Sequence, residues 1–303
     1  MTDLAKRRQV MARSQALGHC ICDAAKPCPC DTLLQQDRCP CAGERPTPAA
    51  GPVRLTQHVR NAGCASKIGK GDLQRILAGL PELPDPRVVV GSAAGDDAGV
   101  IMLTPDRASV LTVDVFTPPV DDPYAFGRIA AANSLSDIYA MGATPQCALS
   151  IIGFPIHDLP GEAMREILRG GLDVMHEAGV PVVGGHSIND AEVKAGFAVV
   201  GTCAPGAVVR NAGARPGDVL VISKRIGGGF LGFANQLGIC PPEALAAWTV
   251  SMGALNRAAG AAMARHGASA ATDLTGFGLL GHLVEIAKAG GTAIELDLDA
   301  LPL

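Results

Sequence analysis

Aromatic residues are scarce in this sequence, at 3% with one tryptophan and two tyrosines, which excludes a base-stacking platform for nucleic acid. Positive charge is not in excess either. Lys and Arg number 25 against 29 Asp and Glu, a net charge of −4, so a polyanionic partner finds no bulk attraction. Long apolar runs are missing, each being broken by Gly, Asp or Arg well short of a membrane-spanning length. The basic N-terminus MTDLAKRRQVMARSQALGH lacks the apolar centre of a secretory signal. Neither a Walker A motif nor a spaced Rossmann glycine fingerprint occurs. These absences leave a chain of ordinary globular composition, 48% apolar and 18% charged, expected in the cytoplasm and touching neither membrane nor nucleic acid.

Cysteine, by contrast, is plentiful and unevenly placed. Residues 1–53 hold Cys20, Cys22, Cys28, Cys30, Cys39 and Cys41 as three C-x-C pairs, followed by a Pro/Ala/Gly linker. This leader has too few apolar residues to bury a core and is expected to be largely irregular. Either a soft ligand staples it or it is a flexible, thiol-bearing tail. Disulfides are the poorer explanation in a reducing compartment, whereas thiolate ligation of zinc or an iron–sulfur cluster is sound chemistry. His19, Asp31 and Asp37 lie close by in the chain.

From about residue 54 the pattern becomes alternating strand and helix. RVVVG, SVLTVDVF, QCALSIIGF, VPVVGG, FAVVGTC and DVLVISK read as strands, being short, apolar and β-branched. PYAFGRIAAANSLSDIYAMG and LPGEAMREILRGGLDVMHEAG read as helices stopped by glycine. A junction is expected at residues 211–218, NAGARPGD, followed by one strand, a glycine-rich turn, two helices and a final strand GTAIELDLDALPL.

Aspartates at four places interrupt this apolar pattern. Asp96 and Asp97 stand between a turn and a strand, Asp114 lies inside a strand, Asp137 follows Asn133 by one helical turn, and Asp273 precedes a helix. An unpaired buried carboxylate costs several kcal/mol. Two such charges about 4 Å apart add roughly 4 kcal/mol at an effective dielectric near 20. A cap explains one of them, and shared divalent cations explain four better. Hard oxygen ligands select Mg²⁺ or Mn²⁺, which commonly bridge phosphates. Gly184, Gly185, His186 and Ser187 offer a turn suited to an anion, and RIGGGFLG and DLTGFGLLGH share the strand–glycine–helix form. Together these features point to nucleoside triphosphate chemistry.

The segments RLTQHVRNAGCASKI, GDDAGV, TVDVFTPPVDDPYAFGRIAAANSLSDIYAMGATP, GGHSI and TDLTGFGLLGHL resemble the selenophosphate synthetases (selenide, water dikinases), over residues 54–303. The resemblance implies a two-domain α/β (α+β) fold of the aminoimidazole ribonucleotide synthetase-like kind and a homodimer sharing a β-barrel-like core. It also implies ATP-dependent formation of selenophosphate, AMP and phosphate from selenide, ATP and water. Residues 54–75 would be a mobile catalytic segment, 76–212 the ATP- and magnesium-binding domain and 213–303 the C-terminal domain. On matching positions Cys64 is the catalytic cysteine and Lys67 the lysine reaching the ATP phosphates. Asp97, Asp137 and Asp273 match Mg²⁺ ligands. Ala94, Gly95, Asp96, Asp114 and Asp137 match nucleotide contacts, as do Gly185, His186 and Ser187. A neighbouring Lys67 would favour the Cys64 thiolate.

Ser66 stands where some members carry a second cysteine, and the family pattern continues beyond LDLDALPL, so the C-terminal domain is expected to be incomplete. The leader lies outside the family pattern and is expected to bind metal or to receive selenium from a donor protein. Other readings are a sulfur-directed relative, a hydrogenase-maturation protein, a thiamine-phosphate kinase, or a non-catalytic selenium- or metal-binding protein. Cys147 and Cys203 read as core thiols, His282 as a packing or capping residue, and His176 and His266 as surface residues.

Overall fold

The computed structural model describes residues 3–44, 53–63, 66–81, 83–92 and 95–303. Cys64 and Ala94 lie outside the described residues. One sheet of six strands organises the molecule: β1 (Val88–Val90), β2 (Gly99–Thr104), β3 (Arg107–Phe116), β4 (Thr144–Phe154), β5 (Val182–Asn189) and β6 (Lys194–Cys203). Their spatial order is β1-β2-β3-β6-β4-β5, antiparallel except for the parallel pair of β4 and β5. These are the β-branched runs of the sequence, and their pairing satisfies backbone groups that an apolar environment would otherwise strand.

Two helices cover one face. α4 (Pro123–Ala140) begins with Pro123 at its first position and Asp122 as cap, whose carboxylate accepts from the Ala125 amide at 2.6 Å. It is nearly all buried, which is why it carries almost no polar face. α5 (Gly161–Ala178) is amphipathic and ends at Gly179, whose φ of 75° favours glycine. The helices touch backbone to backbone. A Cβ on Gly170 would lie 2.0 Å from the Tyr124 carbonyl oxygen, and one on Gly127 would lie 1.8 Å from that of Ile167. The other sheet face is open and carries Leu111, Val113, Leu149 and Ile188, each 45–60% exposed. Cross-strand register puts Leu111, Val113 and Leu149 on this face through Val200 and Ala198 of β6.

Several expectations need correction. The leader is not largely irregular. It contains α1 (Leu4–Leu17), capped by Asp3 and stopped by Gly18, and α2 (Asp31–Gln36). α1 has no apolar stripe to announce it. It is held instead by Arg7, which pairs with Glu44 and Asp37 at 2.6 and 2.7 Å. The predicted turn at residues 184–187 is part of strand β5. Its glycine answers a close approach rather than a turn, since a Cβ on Gly185 would lie 2.3 Å from the Ser150 carbonyl oxygen. α3 (Lys70–Leu77) follows the Lys67 segment. Beyond β6 the described residues contain no strand: DVLVISK forms no ladder, with Val219 and Val221 84% and 88% exposed, and GTAIELDLDALPL holds only a short 3-10 turn at Leu298–Ala300. β-propensity makes a strand only where a ladder partner exists. Four helices, not two, occupy this region: α6 (Gly228–Gln236), α7 (Pro242–Gly253), α8 (Arg257–His266) and α9 (Gly278–Gly290). They return to α4, as where Asn256 donates to Ser136 at 2.9 Å. No helix among the described residues is long and apolar enough to cross a membrane.

Gly170→Ala should lower stability by about 3 kcal/mol in urea unfolding, because backbone cannot yield as a side chain tip can. Gly71→Ala, on α3 with nothing within 4 Å of the added Cβ, should be neutral or slightly stabilising. Equal effects at both positions would contradict the α4–α5 contact.

Candidate active site

The acidic positions converge although they come from four separate elements. Asp97 precedes β2, Asp114 lies on β3, Asp137 on α4, and Asp273 in the loop between α8 and α9. β3 and α4 fix the centre. Thr112 and Asp114 project from β3 towards α4, where Thr112 donates to Asp137 at 2.5 Å and the Asn133 amide donates to Asp114. Asp114 also pairs with Lys67 at 3.5 Å, which brings the segment before α3 over the recess. That segment is anchored where Gly63 and Thr117 form a bridge and where Ser66 donates to the Gly63 carbonyl at 2.8 Å. Asp96 accepts from the Asn211 amide at 2.6 Å, so it braces the 211–213 turn and leaves the centre to Asp97.

These residues line a cavity of about 530 Å³, to which Phe277, Leu280 and Val284 contribute apolar surface. Carboxylate oxygens of Asp97, Asp137 and Asp273 come within 4.8 Å of one another. Burial pushes the Asp97 carboxyl up to about 7, and the charge of Asp273 adds to it. Asp273 is raised to about 6 by burial, with Asp114 adding repulsion and a hydrogen bond from Ser136 opposing it. Asp137 is raised well above the usual carboxylate range, by burial first and then by Asp273 and Asp114. One oxygen of Asp97 is buried with no hydrogen-bond partner. An orphaned oxygen among crowded carboxylates fits a hard divalent cation, which would supply the missing positive charge.

Asp273 does not cap α9, a place taken by Phe277. Gly95 lines the cavity, whereas Gly185, His186 and Ser187 do not; they lie exposed on β5 at the sheet edge. Sequence reasoning passed over Thr272 and read His282 only as a packing or capping residue. The Thr275 amide donates to His282 Nε2 at 3.2 Å, which leaves Nδ1 to carry the proton and face Thr272 at 3.3 Å. Thr272 in turn donates to Asp97 at 2.9 Å. His282 is 8% exposed and holds a side chain that holds a carboxylate. Its only sequence signal was a histidine in the same short glycine-rich segment as Asp273. Cys147 and Cys203 lie half-buried on β4 and β6, and His176 and His266 are exposed.

A second group forms in the leader. Cys20 lies 3.2 Å, sulfur to sulfur, from both Cys22 and Cys41, and the three thiols come within 4.8 Å of one another. Burial raises the Cys22 and Cys41 thiols. Burial acts the same way on Cys20, but hydrogen bonds from Cys41 and Cys22 outweigh it and lower that thiol. Cys28, Cys30 and Cys39 stand outside this group, and the described cysteines are free thiols.

Comparison with known proteins gives concordant matches. The family model for AIR synthase related protein, N-terminal domain, matches residues 95–204, and that for the C-terminal domain matches residues 215–303. The chain is 50% identical over 256 residues to the selenide, water dikinase of Nitratidesulfovibrio vulgaris strain DP4, covering 82% of this chain and 72% of that one. It is 49% identical over 251 residues to the selenide, water dikinase of Trichlorobacter lovleyi, covering 83% and 72%. Among solved structures, thiamine-monophosphate kinase from Stenotrophomonas maltophilia K279a superposes with a TM-score of 0.57 at 21% identity, covering 78% and 76%, a likeness of fold alone.

Two outcomes follow from this geometry. A carboxyl raised in the folded state binds protons that the unfolded chain has already released, so metal-free stability falls as pH rises from about 4 to about 7. Thermal unfolding in chelator should therefore drop by roughly 5 °C between pH 5 and pH 8, with Mg²⁺ restoring more at pH 8. Asp97→Asn should flatten that dependence. For the relay, His282→Ala should weaken Mg²⁺ affinity about tenfold or more in calorimetric titration, as loss of an outer-shell partner does, with the fold retained. Unchanged affinity would remove His282 from the site.

Proposed function

The chain belongs to the selenide, water dikinase family within the AIR synthase related proteins, and we propose that its central acidic recess carries out the family reaction, converting selenide, ATP and water to selenophosphate, AMP and phosphate. The observation that carries this reading is the meeting of Asp97, Asp137 and Asp273 beneath Lys67 in one cavity. Carboxylates in that arrangement suit Mg²⁺, which neutralises polyphosphate charge and orients the phosphates for in-line transfer. Asp97, Asp137 and Asp273 would hold it. Asp114 positions Lys67, and on nucleotide binding the Lys67 ammonium would turn from Asp114 to the phosphates as a compact charge. Gly95 and Asp96 would form the nucleotide's near wall, with Ala94 beside them in the chain. The apolar surface from α9 suits a nucleobase or its sugar edge and keeps water from the centre. Cys64, three residues before Lys67, remains the proposed catalytic thiol.

A homodimer accompanies this reading. The open sheet face with Leu111, Val113, Leu149 and Ile188, together with exposed edge strand β5, supports pairing of two sheets into a barrel-like core. Such pairing would give Gly185, His186 and Ser187 a nucleotide to contact that they do not reach within their own subunit. The domain limits proposed from the sequence, residues 54–75, 76–212 and 213–303, suit this division of labour. The leader, residues 1–53, is read as a soft-metal site for zinc or an iron–sulfur cluster that works with a selenium-donor protein. Free thiols throughout the described residues suit the cytoplasm.

Phosphorus NMR of the purified chain with ATP, Mg²⁺ and selenide should show selenophosphate growing together with AMP and phosphate. Lys67→Ala should lower the rate by at least 100-fold, about 3 kcal/mol of transition-state stabilisation. Release of ADP without selenophosphate would instead indicate a kinase acting on another acceptor.

A further inference from the structure

The leader presents an unusual balance. Its described buried residues are Ser14, Cys20, Cys30, Arg38, Cys39, Pro40 and Ala42. Three of these are cysteines, and no large aliphatic or aromatic side chain is among them, so hydrophobic burial supplies little of its folding energy. Polar ties nonetheless give it a definite shape. Arg7 of α1 reaches Glu44 and Asp37, Glu44 accepts from the Cys39 amide at 2.6 Å, and the Cys20 amide donates to the Lys26 carbonyl at 2.8 Å. These contacts bring Cys20 and Cys22 at one end of the segment to Cys41 at the other.

We propose that Cys20, Cys22 and Cys41 form a three-thiolate zinc site whose fourth coordination position is open to a soft anion, hydroselenide above all. Choice of a soft ligand rests on the dikinase reading given above; the metal site does not. Geometry selects a single ion over a cluster. In tetrahedral zinc with sulfur at 2.3 Å, ligand sulfurs lie about 3.8 Å apart, so the observed 3.2 Å spacings need open by only about half an ångström. Iron–sulfur clusters distribute four cysteines over their irons, one each in a four-iron cluster and two each in a two-iron cluster, and never gather three on one metal. The ligand count leaves the opening. Among the described residues the group holds three ligands, with Cys28, Cys30 and Cys39 outside it. Three protein ligands plus an exchangeable fourth is the pattern of zinc sites that bind and release small molecules, unlike the closed four-ligand structural sites.

Burial is graded across the group, with Cys20 buried, Cys41 half-buried and Cys22 exposed, so the open position faces solvent on the Cys22 side. Occupation is a simple ligand exchange. A lone pair on hydroselenide forms the zinc–selenium bond as the zinc–water bond breaks, with no change of oxidation state. The leader also docks near the sheet end that serves the recess. Arg38 pairs with Asp158 at 3.9 Å, just after β4. Leu159 packs in the same cluster as Leu55 and Val59, which lead into the Cys64–Lys67 segment.

The test uses the full chain purified with Co²⁺ in place of zinc. About one equivalent should bind in the leader with sulfur-to-cobalt charge-transfer absorption of three thiolates. Cys20→Ser and Cys41→Ser should each cut that absorption by about a third or abolish binding, while Cys28→Ser and Cys147→Ser leave it unchanged. Adding selenide, or sulfide as a milder probe, should shift the visible cobalt bands in a saturable way. Chelation should expose residues 3–44 to hydrogen exchange while the sheet stays protected. Absence of leader-bound metal overturns the site. Binding that also requires Cys28, Cys30 or Cys39, with bands indifferent to selenide, overturns the open position. Failure of selenophosphate synthesis with the cobalt shift intact would sink the dikinase reading and leave this site standing.

Discussion

Crowding of like charge in one recess is the constraint on which the remaining structure depends. Asp97, Asp137 and Asp273 approach within 4.8 Å of one another where burial weakens hydration, an arrangement that repels itself when empty. It persists because Asp137 and Asp97 are held from different elements, and Asp273 is held against Ser136 of α4. β3 reaches Asp137 through Thr112, and His282 reaches Asp97 through Thr272. α4 carries Asp137 as part of the sheet's covering layer. The close α4–α5 contact at Gly127 and Gly170 holds the two helices of that layer together. Instability at the centre is offset by packing around it, which is the usual relation between a binding site and its scaffold.

Much of this was legible in the sequence, and what was not has physical reasons. Strands β1, β3, β4 and β6 and the start of β5 announce themselves by β-branched runs, β2 shows only as the strand after Asp97, and α4 and α5 show by their helical spacing and glycine stops. Asp97, Asp114 and Asp137 stood out because a carboxylate in an apolar run needs an explanation. His282 did not, because its role arises only when the chain folds it against Thr272, ten residues earlier. Gly185 misled because glycine serves two ends that sequence cannot separate, a left-handed turn and a close backbone approach. The strand readings near Val219 and at GTAIELDLDALPL failed because pairing is a property of two segments. A helix at Leu4–Leu17 was missed since its stabilising contacts are to Glu44 and Asp37, far along the chain.

The leader and the recess follow opposite ligand chemistries within one chain. Oxygen donors gather in the recess, deep in a layer secured by hydrophobic burial. Sulfur donors gather in the leader, where burial is slight and polar ties bring residues 20 and 41 together. Hard and soft ions would therefore have separate destinations, and a transition metal attracted to thiolates would not need to compete at the carboxylates.

Asp114 has a further consequence. Asn133 holds one of its oxygens from the fixed helix, and Lys67 approaches the other from the segment before α3. In the proposed reaction an arriving phosphate would therefore not meet a solvated ammonium; it would exchange one anionic partner for another. Such an exchange yields less net affinity than a fresh ion pair. In return, a departing product would leave the lysine with a waiting counter-ion rather than a bare charge. Asp114 would thus smooth both halves of the proposed cycle, trading tightness of grip for ease of release.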